Sequence, residues 1–302
     1  MNLMNSTLVG AIIALTSSPL LASWAYVPQE VRIAEADLVV AGEVQKYGED
    51  VKKNGQVYQV GIIKPIELLK GKPKMAGDIR LAWPKRVAGG LRLSTDLPAP
   101  RVGDKSIWVM SADDKLPVHW ATYPTDRQPL EKLAEMKKKL AAVKAIQWSK
   151  SENGVQIGMV YEQRDLRKSK VPVKGKPVKA VAQISVYALL KNTGDAPMHA
   201  SNYIYKHPFM IELLGPDGRA IDVATFTPPA KIPAPRIHDF VEIQPGKIRN
   251  MGYGFQLPML TKGGEYSIRV THKNSLDPKA LKLANVWTGE LRSPTLKVNV
   301  PE

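Results

Sequence analysis

Cysteine is absent from the 302-residue sequence, and its absence excludes several kinds of site. The chain has no thiol nucleophile, no thiolate ligand for a metal and no cysteine to carry a lipid anchor. Disulfides cannot stabilise the fold either. The folded state therefore depends on hydrophobic cores alone.

The sequence patterns of several common catalytic sites are also missing. We find no G-x-S-x-G, H-E-x-x-H, G-x-x-x-x-G-K-[ST] or G-x-G-x-x-G. His238 stands beside Asp239, but neighbouring residues on a strand point to opposite faces, which separates an imidazole from an adjacent carboxylate. We therefore assign no catalytic residue and no cofactor, and expect a protein that is not an enzyme.

Charge is missing from residues 1–25, which have the character of a secretory signal peptide. Leu8 to Leu15 form an apolar run too short to span a bilayer as a mature helix, and no later run approaches the required length of about 20 residues. Small residues before Tyr26 predict cleavage after Ala25, with Ala22 as the alternative. An exported protein without cysteine suits the periplasm or cell surface of a bacterium.

Positive charge is abundant, with a formal net charge of +15. Such a surplus favours an acidic partner, which for an exported chain means an envelope glycan, a lipid or a protein. Export argues against nucleic acid. The basic side chains that we predict for binding lie in the most basic stretch, a Pro-containing loop, and on one face of a predicted helix. They are Lys168, Lys170, Lys174, Lys176 and Lys179 in the loop, and Lys137 and Lys138 on the helix.

The first half of the chain reads as five strands followed by one helix. Asn54-Gly55 is a hairpin signal between β-rich segments. The predicted strands are 36–44, 56–69, 78–83, 106–110 and 118–123. The helix is predicted over Pro129 to Val143, with an apolar stripe at Leu130, Leu133 and Leu140 and a cap at Thr125 or Asp126.

Three motifs in this half, E-A-D-L-V-V-A-G-E-V, I-E-L-L-K-G and G-D-K-S-I-W-V-M, carry a family resemblance. Residues 31–123 resemble the OB-like module of the netrin and tissue-inhibitor-of-metalloproteinase type found in exported bacterial proteins. The resemblance implies a five-stranded barrel with one C-terminal helix. Animal inhibitors of this type coordinate a protease metal through an N-terminal cysteine. This chain has none, so that mechanism is not carried over.

The second half repeats short β-rich runs broken by Gly, Pro, Asn and Asp. Ser185 to Pro197 is the clearest example, a half-buried strand running into the turn residues Asn192 to Gly194. This punctuation predicts an immunoglobulin-like β-sandwich. The overall prediction is a mainly β protein with a signal peptide at 1–25, an OB-like domain at 26–145, a linker at 146–153 and a sandwich domain at 154–302.

The leading functional expectation is a non-catalytic binding or scaffolding protein of the bacterial envelope, with a basic surface for an acidic partner. One alternative is a protease-inhibitor-like module that acts through an exposed loop such as Arg86 to Leu97. Another is a copper-binding periplasmic protein, because thioether and imidazole groups are ligands that soft copper prefers. The residues of that alternative are Met198, His199, His207 and Met210.

Overall fold

The computed structural model describes residues 27–75, 77–84, 99–121, 123–166, 181–201, 209–223, 234–274 and 283–302. The predicted signal peptide lies outside these residues. Within them the protein is mainly β, as the sequence predicts. The helices are α1 (Gln29–Glu35) and α2 (Leu133–Lys144).

The strands of the first half are β1 (Leu38–Tyr47), β2 (Val51–Lys53), β3 (Gln56–Lys70), β4 (Ile79–Pro84), β5 (Lys105–Ala112), β6 (His119–Trp120) and β7 (Arg127–Pro129). Those of the second half are β8 (Val155–Asp165), β9 (Ala182–Asn192), β10 (Met198–Ser201), β11 (Phe209–Leu214), β12 (Ala220–Ile221), β13 (Phe240–Ile243), β14 (Ile248–Gln256), β15 (Gly264–Asn274), β16 (Gly289–Arg292) and β17 (Leu296–Val300).

The strands of the first half form one sheet whose pairings return to their starting point. The order is β1–β3–β4–β6–β5–β7, with β2 on β3, and β5 also pairs with β1. Between β1 and β3 the register shifts three times. Each shift is a bulge or irregularity of the kind that lets a strand bend sharply. The Asn54-Gly55 hairpin is confirmed, with φ of 50° and 78° at the two residues.

Strand β1 is buried on both faces, which explains its nearly continuous apolar sequence. Leu38 and Val40 pack inside the sheet with residues of β3, β4 and β5. Val39 and Ala41 point the other way and pack against both helices. Alternate residues of a strand face opposite sides, so a strand between two cores needs apolar side chains at every position.

Helix α2 packs as predicted but begins later than predicted. Met136 and Leu140 are buried against the sheet, and a 3₁₀ turn at 130–132 precedes the helix. The predicted cap at Thr125 or Asp126 is wrong. Asp126 is fully buried and accepts hydrogen bonds from Arg32 Nε and Nη2 at 3.1 and 2.9 Å. The Asp126 carboxylate, which the sequence suggested as the helix cap, therefore forms an ion pair with Arg32 instead.

Helix α1 was not predicted, and it joins the two halves of the chain. It has seven residues, too few for a helix that is stable by itself in water. Ile33 packs against α2, whereas Val31 and Ala34 pack against β8 and β9 of the second half. Packing on both sides, rather than helix propensity, holds these residues helical.

The second half contains two larger sheets that share one core. One has the order β14–β9–β8; the other is β12–β11–β15–β16 with β17 also on β15, and a separate pair joins β10 to β13. Ile184 and Val186 of one sheet and Ile268 and Val270 of the other belong to the same buried cluster. The sequence did not predict β10.

Polar contacts beside α1 add to the packing between the halves. Glu35 Oε1 accepts a hydrogen bond from the Asn250 backbone N–H at 2.9 Å. Asp37 pairs with Lys247, and its other carboxylate oxygen accepts the Ala112 N–H at 2.8 Å. Ile146 and Trp148, within the predicted linker, pack against the same apolar cluster as α1.

Candidate functional site

The basic residues singled out from the sequence divide into two groups. Lys168, Lys170, Lys174, Lys176 and Lys179 lie outside the described residues. Lys137 and Lys138 lie on the exposed side of α2, and Lys137 Nζ is 2.8 Å from Glu67 Oε1. This ion pair connects helix α2 with the neighbouring strand β3.

The second half of β3 has one strand edge without a partner among the described residues. Strand β4 pairs with β3 only as far as Ile63, opposite Ile79. From Lys64 to Lys70, β3 pairs with β1 on its other side alone. An unpaired edge presents backbone N–H and C=O groups that another extended chain can bind.

Two large apolar side chains are exposed along this edge. Ile66 is 54% exposed and Leu68 is 47% exposed. Ile66 has no partner in the β1–β3 register, because Gly42 pairs with Pro65 and Ala41 pairs with Glu67. Single exposed apolar residues are common on protein surfaces, but two at one open edge form a small patch.

The two faces of this strand segment differ in chemistry. Lys64 is opposite Glu43 and Glu67 is opposite Ala41, both on the face of β1 that turns away from the sheet interior. Leu68 is opposite Val40, which belongs to the interior cluster. One face therefore carries charged groups and the other carries Leu68.

We call Lys64, Ile66, Glu67, Leu68 and Lys137 the β3 edge surface. Exposed Lys72 follows the strand, and exposed Lys138 follows Lys137 on α2. Among the described residues, Lys64, Lys72 and Lys138 have no ion-pair partner, whereas Glu67 is paired with Lys137. The surface thus combines a net positive charge with an apolar patch and an open strand edge.

Pro65 is a sequence signal for this surface that the strand prediction did not take into account. Pro65 lies within β3 and has no N–H to donate, and proline within a sheet is confined to edges, first positions and bulges. The predicted strand 56–69 was right in its bounds to within one residue. Its open edge depends on where β4 ends, which is a tertiary property.

The nearby motif L-K-G has a structural role. Lys70 Nζ donates hydrogen bonds to the Ile33 and Ala34 carbonyls at 2.7 and 3.0 Å, and so caps the end of α1. Burial lowers the pKa of the Lys70 ammonium to about 8, an effect that the Asp37 carboxylate opposes and Lys247 reinforces. His119 is also buried, and burial lowers the pKa of its imidazole. Lys70 therefore serves the join between the halves rather than an open site.

Asp113 has a similar structural role at the turn after β5. It accepts hydrogen bonds from Lys53 Nζ at 2.6 Å, Trp120 Nε1 at 2.7 Å, and the backbone N–H groups of Lys115 and Leu116. Burial by itself raises the pKa of a carboxyl, but these donors hold the pKa of Asp113 well below its usual range. A carboxylate stabilised in this way is a poor proton acceptor.

The residues of the copper alternative do not share one face. Met198 is buried in the core of the second half, and the next residue, His199, lies 3.8 Å from Glu242 on the other face of β10. Met210 is 48% exposed, and its neighbour Phe209 points into the core. His207 lies outside the described residues. Within the described chain there is no group of three or more His, Asp or Glu residues able to hold a metal ion.

A groove of about 320 Å³ lies between α2 and the second half. Val143, Ile146, Val160 and Leu296 contribute apolar walls. The charged side chains that line it are Glu30 and Lys297, one of each sign. The groove therefore offers no net attraction to an anion, unlike the β3 edge surface.

The remaining alternative, a protease-inhibitor loop at Arg86 to Leu97, lies outside the described residues. Neither α1 nor α2, the α-helices of the described chain, is long and apolar enough to cross a membrane.

No protein-family model matches the sequence, and no curated protein matches it.

Proposed function

We propose that this protein is an exported, non-catalytic binding protein of the bacterial envelope that holds an acidic partner on the β3 edge surface. The observation that carries the proposal is the position of Lys64, Lys72 and Lys138. These lysines are exposed and have no ion-pair partner in the described chain. Lys64 and Lys72 come before and after the exposed Ile66 and Leu68 along the open edge of β3, and Lys138 follows Lys137, the ion-pair partner of Glu67.

We also propose that the architecture is an OB-like barrel followed by an immunoglobulin-like sandwich. Strand pairing that runs β1–β3–β4–β6–β5 and back to β1 supports the barrel. Two sheets with a common core support the sandwich. Both architectures place function on surface loops and edges carried by a rigid scaffold.

The distribution of charge supports an acidic partner. Many described carboxylates are already engaged by cations of the same chain, including Asp37 by Lys247, Glu43 by Lys105 and Asp104 by Arg127. The chain as a whole has a formal net charge of +15, and Lys64, Lys72 and Lys138 are among the described lysines that have no such partner. Positive surface charge of this kind attracts polyanions and is screened over about 10 Å at 0.1 M salt.

The test is equilibrium binding of the predicted mature protein, Tyr26 to Glu302, to three acidic probes. These are poly-L-glutamate, polygalacturonate and phosphatidylglycerol vesicles, each measured from 50 to 300 mM sodium chloride. We expect binding to at least one probe, weakening as salt rises. The variant Lys64→Gln/Lys138→Gln should weaken that binding by about tenfold or more, at roughly 1 kcal/mol per lysine.

The matched control is Lys150→Gln/Lys262→Gln, which removes the same charge from two exposed lysines, one in the predicted linker and one between β14 and β15. This control should retain most of the affinity. Failure of all three probes to bind at 50 mM salt would reject the proposal. Equal losses in the two double variants would show that net charge, rather than this surface, determines binding.

A further inference from the structure

The open edge of β3 points to the chemical class of the partner, an inference that rests on the proposed function. We propose that residues 66–70 dock an extended peptide segment of a partner protein, in which apolar and acidic residues alternate. The peptide would add to the sheet as a further strand beside β3. It would lie on the side where the pairing with β4 ends at Ile63.

The backbone of the open edge favours a peptide as the partner. An unpaired edge offers N–H and C=O groups at regular spacing, and an extended peptide offers the matching groups, whereas a glycan or a lipid headgroup does not. Pro65 lacks an N–H and Ile66 interrupts the register with β1. These features limit the docked segment to the few residues beyond Pro65.

The two faces of the edge differ in chemistry, and this difference favours a peptide with alternating residues. Successive side chains of an added strand point alternately to the two faces of the sheet. On one face they meet the Glu67–Lys137 pair and, at the Pro65 end of the docked segment, Lys64; together these groups carry a net positive charge that favours carboxylates. On the other face they meet Leu68, 47% exposed, where apolar side chains bury surface. A period of two between acidic and apolar residues fits both faces.

The mixture of apolar and charged groups on this surface provides specificity among acidic partners. Lysines alone attract any polyanion, so they do not select among acidic partners. Ile66 and Leu68 add a contact that a purely anionic chain does not use. Specificity then comes from the two contacts together, because loss of either weakens the complex.

The experiment measures fluorescence anisotropy of a labelled octapeptide that alternates valine and glutamate, with the full mature protein as receptor. The comparison peptide has the same composition arranged as four valines followed by four glutamates. A third peptide repeats the alternating order with N-methylated valine amides, which cannot donate backbone hydrogen bonds. We expect the alternating peptide to bind about tenfold or more tightly than either comparison peptide.

The matched variants are Ile66→Ser/Leu68→Gln and, as control, Met210→Ser/Leu214→Gln. All four residues are exposed apolar side chains on strands, so both variants should fold, which thermal unfolding checks. The first variant should lose the preference for the alternating peptide, and the control should keep it. Both should bind poly-L-glutamate with similar, salt-sensitive affinity.

Three results test the inference separately from the proposed function. If poly-L-glutamate binds but the three peptides bind equally, the strand-docking inference is wrong and the acidic-partner proposal stands. If the Met210 variant loses the preference and the Ile66 variant keeps it, the docking site is elsewhere. If neither poly-L-glutamate nor any peptide binds at 50 mM salt, the inference fails, and the proposed function then depends on the glycan and vesicle probes.

Discussion

Lys70 shows how one side chain connects the two halves of the chain. Its ammonium lies against the last carbonyls of α1 and beside Asp37, which pairs with Lys247 of the second half. The same burial that makes these contacts specific also removes water from the charge. The charged form is therefore less favourable here than in an unfolded chain.

We predict that Lys70 titrates at about pH 8 in the folded protein, because burial lowers its pKa to that value. Between pH 8 and the ordinary lysine range, the unfolded chain holds a proton that folded Lys70 has released. This group therefore makes the folded state more stable as pH rises through that interval. NMR of protein labelled with ¹³Cε-lysine measures the titration, and Lys70→Arg identifies the signal by its loss. A Lys70 signal that titrates near pH 10.4 would contradict the prediction.

Asn192 shows which residue roles the sequence reveals and which it conceals. The pattern predicted a turn at Asn192 to Gly194, and Gly194 N–H does donate to Asn192 Oδ1 at 2.9 Å. The side-chain amide also donates to the carbonyls of Ala196 and Ile243 at 2.8 Å. Turn preference is local and readable from composition. The bond to Ile243 joins residues 51 positions apart, so only the folded chain reveals it.

At the scale of elements, the turn that leaves β3 depends on one glycine. Gly71 has φ of +78°, and a Cβ added there would lie 1.8 Å from the Asp37 carbonyl oxygen. The end of β3 and the start of β1 approach each other through this contact. The L-K-G motif thus combines a lysine that caps α1 with a glycine that admits the backbone of Asp37.

We expect Gly71→Ala to lower the free energy of unfolding substantially more than Gly55→Ala does. Both glycines have φ of +78°, but nothing lies within 4 Å of a Cβ at Gly55. The control variant should therefore lose only the ~1–2 kcal/mol of left-handed backbone strain. Gly71→Ala should lose a further ~1–3 kcal/mol from the steric clash. Urea unfolding measures both, and equal losses would show that Asp37 moves aside without strain.

The elements themselves were predictable to different degrees. Alternation and β-branched runs predicted the longer strands, because side chains facing a core leave a periodic pattern. Helix α1 was missed because seven residues carry too little pattern and depend on contacts from both halves. The helix cap was misplaced because Asp126 forms an ion pair with Arg32, 94 positions away.

At the scale of the whole molecule, two β-rich halves are joined by buried contacts around α1. Val31 and Ala34 pack with Tyr187 and Leu189, and Ile33 packs on the opposite side with α2. Composition predicted a basic protein with apolar cores but not this join. It also predicted Lys137 and Lys138 as binding residues without the strand edge beside them. That edge exists because β4 stops pairing at Ile79, which no local pattern specifies.

The central claim is that an acidic partner binds at the β3 edge surface, and hydrogen–deuterium exchange tests it most directly. Exchange of backbone amides should be measured by mass spectrometry on the mature protein, with and without saturating alternating valine–glutamate peptide. We predict slower exchange in residues 66–70, because a docked strand accepts hydrogen bonds from the free N–H groups of β3. Slowing confined to other segments, or unchanged exchange in 66–70 with the peptide bound, would contradict the account.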